Sequence, residues 1–323
     1  MKQQILSYGK RAIAVLSMTA VMMSCDKDDD AMEDPRGTIT DIVVNNQNFS
    51  RLEEAVVKAN LQNTLSGAGP FTVFAPNNDG FDAAGISSAV IGSLSADDLE
   101  RILLYHTLGA QISSADVPAG PNAKVVTAGG DSVFVTRNAS GVYINGVMVA
   151  QADVTADNGT IHVIESVLMP PSGNLVETAM APNSGLDSLV KAIVRANNAP
   201  GGNPDLIATL QNTTLTVFAP TNAAFTNLLT ALQLNDIDQI PVETLLAVLY
   251  YHVVPGRAFS SDLSNGNLAM LAGGNATVNL SNGTGGAPTI TGNGNGGTNA
   301  NIIATNKMAE NGVVHVIDAV LLP

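Results

Sequence analysis

Tryptophan is absent from this 323-residue chain, and aromatic residues as a whole make up only 4% of it. Open sugar-binding clefts and single-stranded nucleic-acid grooves rest on stacking rings, so this scarcity counts against both. Basic residues are also few: 14 Lys and Arg stand against 28 Asp and Glu. A surface that acidic repels phosphate backbones, which sets nucleic acid aside as a partner. Cysteine occurs once, at Cys25, so no disulfide can form within the chain and core packing must supply the stability. What the chain does have is apolar residues, 45% of the total, and length enough for two domains with a core each.

The N-terminus reads as an export signal. Lys2, Lys10 and Arg11 precede Ala12–Ser24, "AIAVLSMTAVMMS", an apolar run of 13 residues. A bilayer needs about 20 residues to cross, so residues 1–24 suit a secretory signal peptide better than a membrane span. The run ends at "MMSC", which resembles a bacterial lipobox with Met22 in the place of the usual Leu. That resemblance implies cleavage before Cys25 and a lipid on its thiol, anchoring the mature chain to a membrane. Residues 25–37 then form an acidic tether holding Asp26, Asp28, Asp29, Asp30, Glu33 and Asp34. With the signal removed, 11 basic residues face 28 acidic ones, a formal charge of −17. A self-repelling, solvated tether accounts for the composition. Surface-displayed lipoproteins of some two-membrane bacteria carry a similar run, and "KDDD" looks like one. The expected location is the outer membrane facing the cell exterior, with a periplasm-facing anchor as the alternative.

Beyond the tether the sequence repeats itself. "LEEAVVKAN" (Leu52–Asn60) returns as "LVKAIVRAN" (Leu189–Asn197), and "FTVFAPNNDGF" (Phe71–Phe81) as "LTVFAPTNAAF" (Leu215–Phe225). "LLYHTLGA" (Leu103–Ala110) returns as "LYYHVVPG" (Leu249–Gly256), and "NGTIHVIESVLMP" (Asn158–Pro170) as "NGVVHVIDAVLLP" (Asn311–Pro323). The order is conserved between halves and the offset grows by loop insertion alone. Two domains follow, 38–170 and 174–323. Only Pro171, Ser172 and Gly173 separate them, too short a link for independent tumbling, so the domains are expected to touch. The largest insertion, Ser281–Asn299, is dense in Gly and Asn and reads as a long flexible hairpin or loop. It holds no carboxylate, which argues against calcium.

Within each copy the early segments are helical. Ser95 and Asp98 form a capping pattern, and Leu99, Ile102, Leu103 and His106 fall on one helix face. Leu245, Val248, Leu249 and His252 repeat that face. Each of these histidines stands at a helix C-terminus, where an imidazole can donate to unsatisfied carbonyls. "TVFAP" reads as a short buried strand closed by Pro76 or Pro220, followed by a cap from Asn77–Asn78 or Thr221–Asn222. Val133 with Val135 and Val142 with Ile144 alternate as strands, and Asn145–Val147 is a hairpin turn. Helices first, then a run of antiparallel strands, predicts an α+β domain: a strand-rich wedge with helices on one side.

The ordered set "TVFAPTNAAF", "YH" and "NGVVHVIDAVLLP", found twice, resembles the fasciclin (FAS1) domain. The likeness covers nearly all of the mature chain. It implies two tandem FAS1-like domains, each a β-sandwich wedge with helices packed on it, on a secreted or anchored protein. It also implies adhesion or matrix binding, to an extracellular protein or polysaccharide, and no catalytic activity. Phe74, Pro76, Asn78 and His162, with Phe218, Pro220, Asn222 and His315, are then the motif positions that hold the fold. In animal relatives an Asp-aliphatic pair before the last motif, and the "YH" region, are linked to adhesion receptors. Here these are Asp153 and Val154 with Tyr105 and His106, and in the second copy Tyr251 and His252. Asn306-Lys307 replaces the Asp-aliphatic pair there, which argues against the same use of that copy.

Nothing in the sequence assembles an enzyme. His106, His162, His252 and His315 all sit inside repeated motifs, with no second His, Cys or paired carboxylate at metal-ligand spacing. No G-x-S-x-G elbow occurs, and no G-x-G-x-x-G follows a strand at a phosphate-binding position, since the late glycines sit in the hairpin insertion. No cofactor and no metal is expected. The function this supports is a surface-anchored adhesion, matrix or biofilm interaction protein. The alternative is a glycan-binding accessory lipoprotein of a surface uptake system. No seam for self-association is legible, so the oligomeric state stays open.

Overall fold

The order of elements repeats once along the chain. The computed structural model describes residues 37–323; the signal, Cys25 and nearly all of the acidic tether lie outside them. In the first domain, short helices alternate with one strand up to the helix Ala96–Tyr105, and strands dominate thereafter. The strands are β1 (Phe71–Pro76), β2 (Thr107–Leu108), β3 (Gly120–Val126), β4 (Ser132–Asn138), β5 (Gly141–Ile144), β6 (Val147–Ala156) and β7 (Gly159–Ile164). The second domain repeats them as β8 (Leu215–Pro220), β9 (Val253–Pro255), β10 (Gly266–Ala269), β11 (Asn275–Asn279), β12 (Thr289–Thr291), β13 (Ala300–Ala309) and β14 (Gly312–Ile317). Each set forms a seven-stranded sheet, in the order β2-β1-β7-β6-β5-β4-β3 and its counterpart β9-β8-β14-β13-β12-β11-β10.

The later strands of each domain pair antiparallel, as expected, and the structure adds one parallel pairing to them. The closing strand inserts between the first strand and the hairpin strand, and it pairs parallel with the first. The helices between the motifs provide the long crossover that a parallel pair requires. The register sets Phe74 against His162 and Phe218 against His315.

Side-chain alternation along these strands divides each domain into two cores. Val73 and Ala75 face the helices with Ile161 and Val163, while Phe74 and Ile164 face the interior of the wedge with Val133, Val135 and Ile144. The second domain divides the same way, with Ala219, Val314 and Val316 toward the helices and Phe218 and Ile317 toward the wedge. Two register shifts in β6, between Val149 and Gln151 and between Gln151 and Val154, bend that strand so that it serves both halves of the folded sheet.

Ser281–Asn299 is more than a loop. It contains β12, whose Ile290 is fully buried in the wedge core between Val278 and Ala300 neighbours. The Gly and Asn around it hid three residues of strand. Residues 37–323 belong to one compact unit.

Candidate functional site

The parallel pairing joins the two family-like motifs of each domain into one buried cluster. His162 stacks on Phe74 at 5.9 Å between ring centroids, and His315 on Phe218 at 5.3 Å. His162 Nε2 meets the Ile112 carbonyl at 2.9 Å while its Nδ1 accepts from the Asp153 backbone at 3.2 Å. His315 does the same with the Ala258 carbonyl (2.9 Å) and the Asn306 amide (3.4 Å). In both rings these contacts place the donor on Nε2 and the acceptor on Nδ1. Burial pulls His315 down to about 4.

The "YH" histidines use the opposite tautomer. Nδ1 of His106 donates to the Ile102 carbonyl, and Nδ1 of His252 to the Val248 carbonyl, each at 2.7 Å. Their Nε2 atoms accept from the amides of Leu168 (2.9 Å) and Leu321 (2.8 Å), tying each helix end to the "VLMP" or "VLLP" strap. Burial pulls both rings to about 4. All eight ring nitrogens are therefore occupied by the fold, with none left for proton transfer or a metal. Among the described residues no group of three His, Cys, Asp or Glu could hold a metal ion.

Burial corrects four of the six interaction candidates. Tyr105, His106, Tyr251 and His252 are each 1–2% exposed, so no partner can touch them in the folded chain. The Tyr105 hydroxyl donates to the Ser132 carbonyl (3.0 Å) and accepts from Asn145 (2.9 Å); burial pushes it up to about 12. Tyr251 donates to the Asn275 carbonyl at 2.5 Å. Val154 is half-buried against the helical core.

Asp153 alone stays exposed, and it has a local task. It occupies the bulge of β6 at φ 60°, as Asn306 does in β13. Its carboxylate accepts from the Ser114 amide (2.9 Å) and hydroxyl, bonds that hold it below the usual carboxylate range. Asn306 latches Ser260 in the same way, accepting from its amide at 2.8 Å and donating to its hydroxyl at 2.7 Å. Asp and Asn both tolerate the left-handed bulge and both reach the serine. The Asn306-Lys307 departure thus changes charge while keeping the latch. Asp153→Asn is expected to cost less than about 1 kcal/mol in urea unfolding and to leave attachment intact. Lost attachment at unchanged stability would return Asp153 to the contact surface.

Sequence reasoning missed two other roles. Asn77 and Thr221 cap their own helices, accepting from Gly80 (2.8 Å) and Ala224 (3.2 Å). Asn78 and Asn222 instead cap a different helix. The helices Ser50–Lys58 and Asp187–Asn198 begin after Phe49 and Leu186, which carry no capping oxygen. Asn78 Oδ1 accepts from the Arg51 amide at 3.2 Å, and Asn222 Oδ1 from the Ser188 amide at 2.8 Å. The hairpin asparagines act similarly. Asn158 accepts from Ile39 and donates to the Leu65 and Gly67 carbonyls; Asn311 accepts from Leu175 and donates to those of Leu210 and Thr213. The available signal was the apolar residue at each uncapped helix start.

A cleft of about 1070 Å³ opens where the domains meet. Its walls carry Arg101 and Lys307 against Asp98 and Glu165, with Tyr143 as the single aromatic ring and no histidine. One ring gives an oligosaccharide little to stack on.

A family model of the Fasciclin domain matches residues 47–170 and 201–323. Protein sll1483 of Synechocystis sp. is 39% identical over 143 residues, which is 44% of this chain and 78% of that protein. Transforming growth factor-beta-induced protein ig-h3 of Sus scrofa is 36% identical over 140 residues, 43% of this chain and 20% of that protein. This chain therefore matches only a fifth of the longer animal relative. Among solved structures, a FAS1 domain pair from the insect cell adhesion molecule fasciclin I aligns over 85% of this chain and 97% of its own, at 19% identity and a TM-score of 0.40.

Proposed function

This chain belongs to the fasciclin domain family through both of its halves, and on that premise we propose that it is a non-catalytic adhesion protein displayed on a cell surface by a lipid on Cys25. Fasciclin domains are associated with cell adhesion and extracellular matrix interaction. The observation that carries the reading is the fate of the histidines: every ring nitrogen serves the fold. What remains to meet a partner is the domain surface, acidic and poor in aromatic rings. An extracellular protein or matrix polysaccharide held over a broad area suits such a surface better than a small sugar in a stacked cleft.

Two measurements test this. Protease added to intact cells should remove the domains, and complete protection would sink the surface reading. Purified mature chain should attach to matrix-coated or biofilm-coated surfaces without saturable binding on an oligosaccharide array. Saturable oligosaccharide binding would favour the glycan-capture alternative.

A further inference from the structure

The domains meet mostly through residues that the repeat does not share. In the second domain the loop after β9 carries Arg257, Phe259 and Asp262. The Arg257 guanidinium lies 4.2 Å over the Phe134 ring of the first domain, and the fully buried Phe259 ring sits 6.1 Å from that same ring. Asp262 accepts from Asn122 Nδ2 and from Thr136 Oγ1, each at 3.2 Å. Asn122 also donates to the Arg257 carbonyl at 2.8 Å, and Asn138 to the Ser261 carbonyl at 3.3 Å. Arg257 is braced from behind by the carbonyls of Gly312 (2.6 Å), Glu310 (2.9 Å) and Ala309 (3.2 Å).

The internal repeat supplies a control for each face. Thr72 bonds the Ala110 carbonyl and the Ile112 amide as Thr216 bonds Gly256 and Ala258, which aligns Gln111 with Arg257 and Ser113 with Phe259. Tyr105 and Tyr251 reach the carbonyls of Ser132 and Asn275, which aligns Phe134 with Thr277 and Thr136 with Asn279. So the outward-facing copy of each surface has an amide or a hydroxyl where the docked copy has a guanidinium or a ring. Asp116 keeps the place of Asp262 and accepts from the Ser113 amide (3.2 Å) and hydroxyl (2.7 Å), as Asp262 accepts from the Phe259 amide (2.9 Å); what differs between the copies is the guanidinium and the rings around it.

We propose that this is a single-use interface: it locks the two domains of one chain together, while the outward faces act as caps that stop a second copy from docking head-to-tail. A heterologous contact between like domains extends into an open chain unless its free ends lack the complement, and repeat arrays end in polar caps for that reason. The partner this surface fits is therefore the neighbouring domain, in cis.

The test uses the full mature chain with Cys25→Ser and spin labels at the exposed Glu100 and Asn212, one in each domain. Double electron–electron resonance should give a single narrow distance peak. Phe134→Thr with Thr136→Asn installs the residues that the second domain already tolerates, and should broaden that peak while circular dichroism stays unchanged. In sedimentation velocity the unmodified chain should show no concentration-dependent growth. Grafting Gln111→Arg, Ser113→Phe, Thr277→Phe and Asn279→Thr should produce it. A peak that stays narrow in the Phe134→Thr variant, or head-to-tail growth of the unmodified chain, overturns the proposal.

Discussion

Between pH 7 and pH 5 the chain is expected to lose roughly 6 kcal/mol of folding stability through three histidines, about 2 kcal/mol for each ring held near 4 in the native state and free at 6.5 in the unfolded one. Burial lowers His106, His252 and His315 in this way. The unfolded chain takes up protons that the native chain refuses, so stability falls as the pH drops from 6.5 toward 4 and is fully present above that window. The hydrogen bonds give the molecular cause. A proton added at Nε2 of His106 would point at the Leu168 amide, and at His252 it would point at the Leu321 amide. Donor would then face donor, in a site closed to water. Carboxylates contribute in a lower window, because Asp116 and Asp153 are held below their ordinary range and lose that stabilisation only once the pH falls below about 4. Urea unfolding followed from pH 7 to pH 5 reads the histidine share separately. His252→Gln should lower stability at pH 7 yet shrink the loss on acidification by about a third. A midpoint that stays level across that range would refute the histidine account.

Asn311→Ala should cost about 2–4 kcal/mol, and Asn158→Ala about as much, since each removes three hydrogen bonds linking the hairpin to helix ends. Asn311 accepts from Leu175 at 2.9 Å and donates to Leu210 (2.9 Å) and Thr213 (2.8 Å). Asn311→Asp separates the two functions, keeping the acceptor for the Leu175 amide while turning both donor positions into repulsion against carbonyls. It should be at least as damaging as Ala. A loss below about 0.5 kcal/mol for both variants would show that the turn backbone alone holds the hairpin.

The contrast between local and distant partners explains what was legible beforehand. Ser95, Asn77 and Thr221 bond residues three positions away, so spacing alone identifies them as caps. Asn78, 27 residues from the Arg51 amide, and Asn311, 101 residues from the Leu210 carbonyl, carry no such local mark. The "YH" tyrosines and histidines were interaction candidates because the same region of animal relatives is linked to adhesion receptors. Their burial depends on Ser132, Asn145, Leu168 and Leu321, strand and strap atoms supplied by a later part of each domain.

By itself the sequence determined the two-fold repeat, the helix faces, the hairpin turn and the structural character of His162 and His315. Those properties arise from period, spacing and internal comparison, all of them local or repeated. Only the tertiary structure decided that the last strand runs parallel beside the first, that Asp153 and Asn306 are interchangeable latches, and that Phe134 meets Arg257. Each of these joins residues between 39 and 123 positions apart in the chain. Contacts at that separation leave no periodic signature, because what selects them is the shape of the packed cores and the bonds that closing them completes.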